Sequence, residues 1–504
     1  MSKSLHRHER AIAYGVLVLG TAVVVLAYWP GGMTLDTLGT YAFVRTGLIG
    51  DQLSAVLIWV WRQVYRMTGA GPETVLVVQT AALTAGVYLV LRAAFGRVAA
   101  SVLAILVLLA PPTFGLVGLV GRDGWFVSCC LVATGLAVGA LRWDGRRRQA
   151  AIAGGMLAAA VAIAARQNGF TAVAPILVAL AALAIDAGGD RVAPLRRHRN
   201  SWAAGAGIAI TLVVLAGTAG INSIVRDRSW HPETYTYLYD LAYVTLEEDK
   251  RLIPHLPRDL QPIQTPDEVR KHWMPQTGVR TRWAPDQAWD VKRLLANTSQ
   301  THVYIYSSTT KSTRRGALVP LYYDDRQADR LSDAWRAAIL DHPFSYLAGR
   351  FALWKSLIGV RHPAVNAFVA ETPENPFGYG PQPSFPVLSG LAREWASAWE
   401  GPDRTTGSTV HRVWPYLLAC IMGLGLLLPR FPGPVRMIGV LMAAAVGLQV
   451  GLFFMSPSVE LRFQLLTLYA GMIALLITAR LATTSIRERD PPAGGVVGAD
   501  PHRC

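Results

Sequence analysis

The stretch AIAYGVLVLGTAVVVLAYWPGGMTLDTLGTY, residues 11–41, decides how the whole chain is read. Residues 11–29 carry no charge, and the run is close to the roughly 20 residues that cross a hydrocarbon core about 30 Å thick. It stops at Pro30-Gly31-Gly32, and a carboxylate, Asp36, follows almost at once. The basic N-terminus MSKSLHRHER precedes the run and no small-residue cleavage site follows it. It therefore reads as a retained first span with its N-terminus in the cytoplasm.

Working outward, the same pattern recurs. Of the 504 residues, 52% are hydrophobic and 16% charged, against about 25% charged in an ordinary soluble domain. Mean hydropathy is +0.30. Apolar length places spans at 11–29, 72–92, 99–118, 124–141, 150–165, 170–187, 202–221, 413–429, 435–455 and 463–480. With about ten spans, both termini are expected in the cytoplasm. The basic clusters then share one side: Arg92 and Arg97, RWDGRRR (142–148), RVAPLRRHR (191–199), PRFPGPVR (429–436) and RLATTSIRER (480–489). That is the distribution of cytoplasmic loops. The net charge of +15 is explained this way, and a nucleic-acid partner is excluded. The expected fold is an all-α polytopic protein of the cell membrane.

Two apolar segments do not fit as spans. QLSAVLIWVWRQVYRM (52–67) is short, and carries Arg62 and Arg66 among aromatics. Counting it as a crossing would put RWDGRRR on the wrong side, so it is read as a helix in the outer interface. SYLAGRFALWKSLIGV (345–360) contains Arg350 and Lys355 and is read as interfacial or re-entrant. The chain thus divides into a membrane module (1–221) with its first outer loop at 30–71, an extracytoplasmic region (222–412), C-terminal spans (413–482) and a disordered cytoplasmic tail (483–504). Helices are expected at 234–250, 285–297 and 328–341. The four cysteines avoid the large polar region, so neither a disulfide framework nor a thiolate metal site is implied.

An ionisable residue at membrane depth costs roughly 2.5–3.5 kcal/mol at a helix centre and is a functional candidate by default. Here such residues gather on the outer side. Asp36, Arg45 and Asp51 lie in the first outer loop, Arg122 and Asp123 in LVGRDGWF, Arg166 in ARQNGF, and Glu460 and Arg462 in SPSVELRFQ. Each has an ordinary reading: Asp36 and Asp123 as first-turn helix acids, Arg122 paired with Asp123, Arg166 snorkelling to headgroups, Arg462 paired with Glu460. The tyrosines Tyr235, Tyr237 and Tyr239 could stack on a sugar, but packing is the commoner role. Taken together, the charged turns fit a phosphorylated lipid headgroup. Guanidinium forks bind phosphate oxygens, and a nearby carboxylate can deprotonate an attacking hydroxyl or amine. Asp36 is the candidate base.

These motifs resemble the GT-C superfamily of integral-membrane glycosyltransferases, particularly bacterial relatives of the protein O-mannosyltransferases and of the aminoarabinose lipid A transferases. The resemblance rests on MTLDTLGTYAFVRTG (33–47) after the first span, on PPTFGLVGLVGRDGWF (111–126), on Glu460-Leu461-Arg462-Phe463 and on DHPFSYLAGRF (341–351). It covers the first 190 or so residues best. It implies that Asp36 is the acidic side chain acting as catalytic base, and that the sugar donor is linked to polyprenyl phosphate and used on the outer face without a nucleotide sugar. Arg122, Asp123, Arg166, Glu460, Arg462, Asp51 and Arg45 are the candidate substrate-binding residues. Asp36 has no Asp-x-Asp partner, so no divalent metal and no cofactor is indicated. The partners implied are membrane lipids, the lipid-linked sugar and an acceptor glycan, lipid or protein. A lipid or polysaccharide transporter or flippase and a non-catalytic envelope scaffold are the competing readings.

Overall fold

In a computed structural model, the described residues are 3–47, 49–50, 54–188, 198–227, 229, 231–248, 281–282, 302–305, 317–320, 325–360, 377, 379, 384–399, 408–430, 433–456 and 460–489. The first half forms α1 (Lys3–Tyr28), α2 (Leu35–Thr46), α3 (Ala55–Thr68), α4 (Pro72–Leu91), α5 (Arg97–Leu108), α6 (Pro111–Val117), α7 (Arg122–Ala140), α8 (Gly145–Ala165), α9 (Phe170–Ala187) and α10 (Arg199–Val225). Then come α11 (Thr234–Glu247), α12 (Asp325–Asp341), α13 (Pro343–Leu357) and α14 (Pro386–Ser397), followed by α15 (Trp414–Arg430), α16 (Pro434–Met455) and α17 (Leu465–Arg489). Among the described residues the strands are three short antiparallel ones, β1 (Thr281–Arg282), β2 (His302–Ile305) and β3 (Ala317–Pro320).

Eight of these helices are long and apolar enough to cross a membrane. The bent pair α5 and α6, a broken span or a re-entrant turn, meets at 75°, and the break falls where Pro111 and Pro112 cannot continue the α5 hydrogen-bond ladder. The tenth expected span falls on α15, whose apolar part, Trp414–Leu427, is shorter. The protein is a multi-pass, helical membrane protein. The last helix continues to Arg489, into the stretch expected to be a disordered tail. Helices also form at 234–247 and 325–341 near their expected places, whereas 285–297 lies outside the described residues.

The segment at 52–67 forms α3, 14 residues long, and so about 21 Å at 1.5 Å per residue. Ser54 caps its N-terminus and Gly69, at φ 67°, ends it. The core runs through the bundle, with α7 packed on α4 and α8, α9 on α10 and α16, and α15 on α16 and α17. Close crossings depend on glycine. A Cβ on Gly447 would stand 2.3 Å from the Thr171 carbonyl oxygen, and one on Gly451 2.8 Å from that of Asn168. These two positions let α16 lie directly against the turn after Arg166. The basic end of the bundle is tied separately: Arg142 donates to the Ala93 carbonyl at 3.0 Å, and Arg199 grips Asp186 through two bonds of 2.7 Å.

Candidate active site

The first loop is pinned to the loop before α7. Gly31 takes φ 118°, where a Cβ would strike Val120. Gly32 N–H then donates to Gly118 O (2.9 Å), and Val120 N–H to Gly32 O (3.0 Å). Thr34 caps α2 by accepting from Thr37 N–H (3.3 Å), and the Thr37 hydroxyl donates to Val120 O (2.5 Å). These bonds put Asp36, in the first turn of α2, beside Arg122, the first residue of α7. Gln79 of α4 holds the same loop by donating to Leu119 O at 2.7 Å.

The charges then converge. Arg462 Nη2 donates to Asp36 Oδ2 at 2.6 Å, and Arg122 Nη2 lies 3.9 Å from the same oxygen. Arg462 Nε contacts Glu460 Oε2 at 2.5 Å and Asp123 Oδ2 at 3.7 Å. Arg166 Nη1 donates to Asp123 Oδ1 at 2.6 Å, and its Nε to Asn168 Oδ1 at 2.8 Å. Rings complete the set: Phe463 lies under Arg166 and Arg462, at 4.6 and 5.3 Å from ring centre to guanidinium carbon. Three guanidinium groups and three carboxylates share one site.

Exposure grades these groups. Asp123 and Arg166 are 3% and 6% exposed, whereas Asp36 and Arg122 are 36% and 33% exposed. Arg166 is therefore buried support for Asp123, not a snorkelling side chain. Asp123 pairs with Arg166 and Arg462 instead of its neighbour Arg122. Burial pushes the Asp36 pKa up, but Arg462 and Arg122 outweigh it, so the carboxyl titrates below the usual carboxylate range. Burial pushes Arg166 down to about 10, with Asp123 opposing the shift, so it stays cationic at neutral pH.

Asp36, Arg122, Asp123 and Arg462 line the head of a cleft of about 210 Å³. The remaining wall is largely apolar, with Leu57, Val60, Trp61 and Val64 from α3, Val75 and Val78 from α4, and Trp125. Val60 and Val78 are 45% and 47% exposed, so this wall opens at the surface between α3 and α4.

Two candidates stand apart. Arg45, at the end of α2, lies 5.7–5.9 Å from the ring centres of Tyr41, Tyr65 and Phe377, away from the ion cluster. Asp51 lies outside the described residues. Tyr237 packs on Trp335 with ring centres 4.5 Å apart, a packing role. Among the described residues no group of three or more His, Cys, Asp or Glu is placed to hold a metal ion.

Sequence reasoning missed Asn168, which orients Arg166, and Phe463 as a ring shared by two arginines. It also missed the buried pair of Asp240 and Arg350, joined at 2.5 Å. Arg350 is completely buried, so the helix at 345–360 does not present it at an interface.

The chain is similar in structure to an archaeal oligosaccharyltransferase. The match is to the crystal structure of the Archaeoglobus fulgidus enzyme tethered through a disulfide to an acceptor peptide containing the NVT sequon, at TM-score 0.39 and 12% identity. It covers 95% of this chain and 51% of that one, so the chain spans about half the length of the protein it matches. No protein-family model and no curated protein matches the chain.

Proposed function

We propose that the protein is a GT-C-type glycosyltransferase that moves a sugar from a polyprenyl-phosphate-linked donor to an acceptor on the outer face of the membrane. One observation carries this reading: the Asp36–Arg122–Arg462 cluster closes the head of a cleft whose remaining wall is mostly apolar and open between α3 and α4. That shape suits an isoprenoid chain against α3 and α4 with its phosphate at the arginines. The basic clusters at the opposite end support an outer-side site.

The chemistry is a displacement at the anomeric carbon. The acceptor hydroxyl or amine gives its proton to the Asp36 carboxylate as its lone pair attacks that carbon. The bond to the phosphate oxygen breaks, and polyprenyl phosphate leaves with its charge met by Arg122 and Arg462. Arg166 and Asp123 hold Arg462 from behind. In the resting arrangement Asp36 is a weak base because two arginines stabilise its charge. Phosphate arriving on those arginines releases the carboxylate and raises its basicity.

The test is transfer of radiolabelled sugar from polyprenyl-phosphate donors by purified protein in nanodiscs. Asp36→Asn is expected to lower kcat by roughly 10²–10⁴-fold, the usual contribution of a general base, with folding intact. Undiminished transfer by that variant removes Asp36 from the mechanism, and uptake of labelled substrate into vesicles without transfer identifies a transporter.

A further inference from the structure

Arg462, paired with Glu460, reaches the cleft from the connection between α16 and α17, and α13 bears on that connection directly at Ser456 and indirectly through Gln449. Upstream, the buried Arg350 donates from Nη1 to the Ser456 carbonyl at 2.8 Å and from Nη2 to Asp240 Oδ2 at 2.5 Å. Asp240, on α11, also accepts from Trp335 Nε1 of α12 at 2.8 Å. The neighbouring carbonyl, Met455 O, accepts from the Thr236 hydroxyl of α11 at 3.2 Å. Arg350 lies against the rings of Tyr239 and Tyr346, at 5.7 and 5.8 Å.

Trp354 follows Arg350 by one helical turn. Its Nε1 donates to Gln449 Oε1 of α16 at 3.2 Å. The Gln449 amide donates in turn to Gln464 Oε1 (2.6 Å) and to the Thr467 hydroxyl (2.8 Å). Gln464 closes the short 3₁₀ turn Leu461–Gln464 that contains Arg462. A buried ion pair costs desolvation and is a poor device for stability alone. A direct hydrogen bond on one flank of an arginine and a relay through Gln449 to the other are, however, an effective way to fix its position.

We infer that Arg350 and Trp354 are positioning residues for Arg462, so the α11–α12–α13 unit sets where the phosphate-binding guanidinium stands in the cleft. The phosphate part of this inference rests on the function proposed above; the positioning part stands on geometry alone. The unit thereby couples anything that binds to it to the charge cluster.

The experiment uses full-length protein in nanodiscs, with Trp354→Phe, Arg350→Lys and Arg462→Gln, alone and combined. Hydrogen exchange over Leu461–Thr467 needs no ligand. Trp354→Phe, which keeps the ring and removes one donor, is expected to speed exchange there about fivefold, the equivalent of one neutral hydrogen bond, while peptides from α1 and α10 stay unchanged. Polyprenyl monophosphate binding is read alongside. Trp354→Phe is expected to weaken it in the wild-type background and to have no further effect in Arg462→Gln. Unchanged exchange overturns the inference, as does equal weakening in both backgrounds. If the wild type binds no polyprenyl phosphate, the proposed function fails, and the exchange result still decides the positioning. If Arg350→Lys fails to fold, Trp354→Phe carries the test.

Discussion

Neutralising Asp36 should strengthen phosphate binding even as it slows transfer. Asp36 Oδ2 stands 2.6 Å from Arg462 Nη2 and 3.9 Å from Arg122 Nη2, so it occupies the place the proposed lipid phosphate would take. With three arginines set against three acids the cluster is neutral, and Asp36→Asn leaves it one charge positive without changing its shape. Unit charges about 4 Å apart attract by about 4 kcal/mol at an effective dielectric near 20. Asp36 is 36% exposed, and screening by water reduces the competing term to about 1–2 kcal/mol. The variant should therefore bind polyprenyl monophosphate roughly 5–30-fold more tightly. Trp61 and Trp125 line the cleft, so intrinsic fluorescence during lipid titration in detergent reports the binding directly. Unchanged or weaker binding by Asp36→Asn would refute the idea that carboxylate and phosphate compete for the same guanidinium groups.

Asp123→Asn leaves the buried Arg166 without its charged partner at 2.6 Å, and should destabilise the protein by about 3–5 kcal/mol in chemical denaturation, while Asp123→Asn/Arg166→Met recovers much of that loss. Gly447→Ala puts a methyl 2.3 Å from the Thr171 carbonyl oxygen and should cost about 1–3 kcal/mol, whereas Gly425→Ala, with open space around it, should be close to neutral in the same assay. His231 bonds Glu233 at 3.1 Å and Asp325 at 2.8 Å; partial burial lowers its pKa, but these carboxylates outweigh it and leave it above the ordinary histidine value. Because the raised pKa belongs to the folded state, its contribution is complete below the unfolded value, about 6.5, and is lost as pH rises through the folded one. Hydrogen exchange at the start of α12 should therefore quicken over that window, once corrected for intrinsic rates, and His231→Gln should flatten the response.

Most of the span pattern was legible, because a bilayer demands apolar length and the chain supplies it with few interruptions. The span expected at 99–118 ran through Pro111-Pro112, where the chain instead turns by 75°. The charged turns could be assigned to one end by alternation alone. Their individual partners could not. Asp36 meets Arg462 across the length of the chain, and Asp123 prefers Arg166 to its sequence neighbour, because the crossing of α7, α9 and α16 sets those distances. Arg350 looked like an interfacial charge for the same reason: its partner Asp240 lies on a separate helix, α11, and only tertiary packing removes the pair from water. Arg45 was grouped with the site by proximity in sequence, while the α2 helix carries it away to an aromatic cluster.

The most direct measurement is native mass spectrometry of the protein released from its own membranes. The wild type is expected to carry a polyprenyl phosphate or its sugar-linked form, and Arg122→Gln/Arg462→Gln to have lost it while remaining folded. A wild-type protein that retains only ordinary phospholipids, or a double variant that holds the polyprenyl phosphate equally well, would contradict the assignment of the cleft.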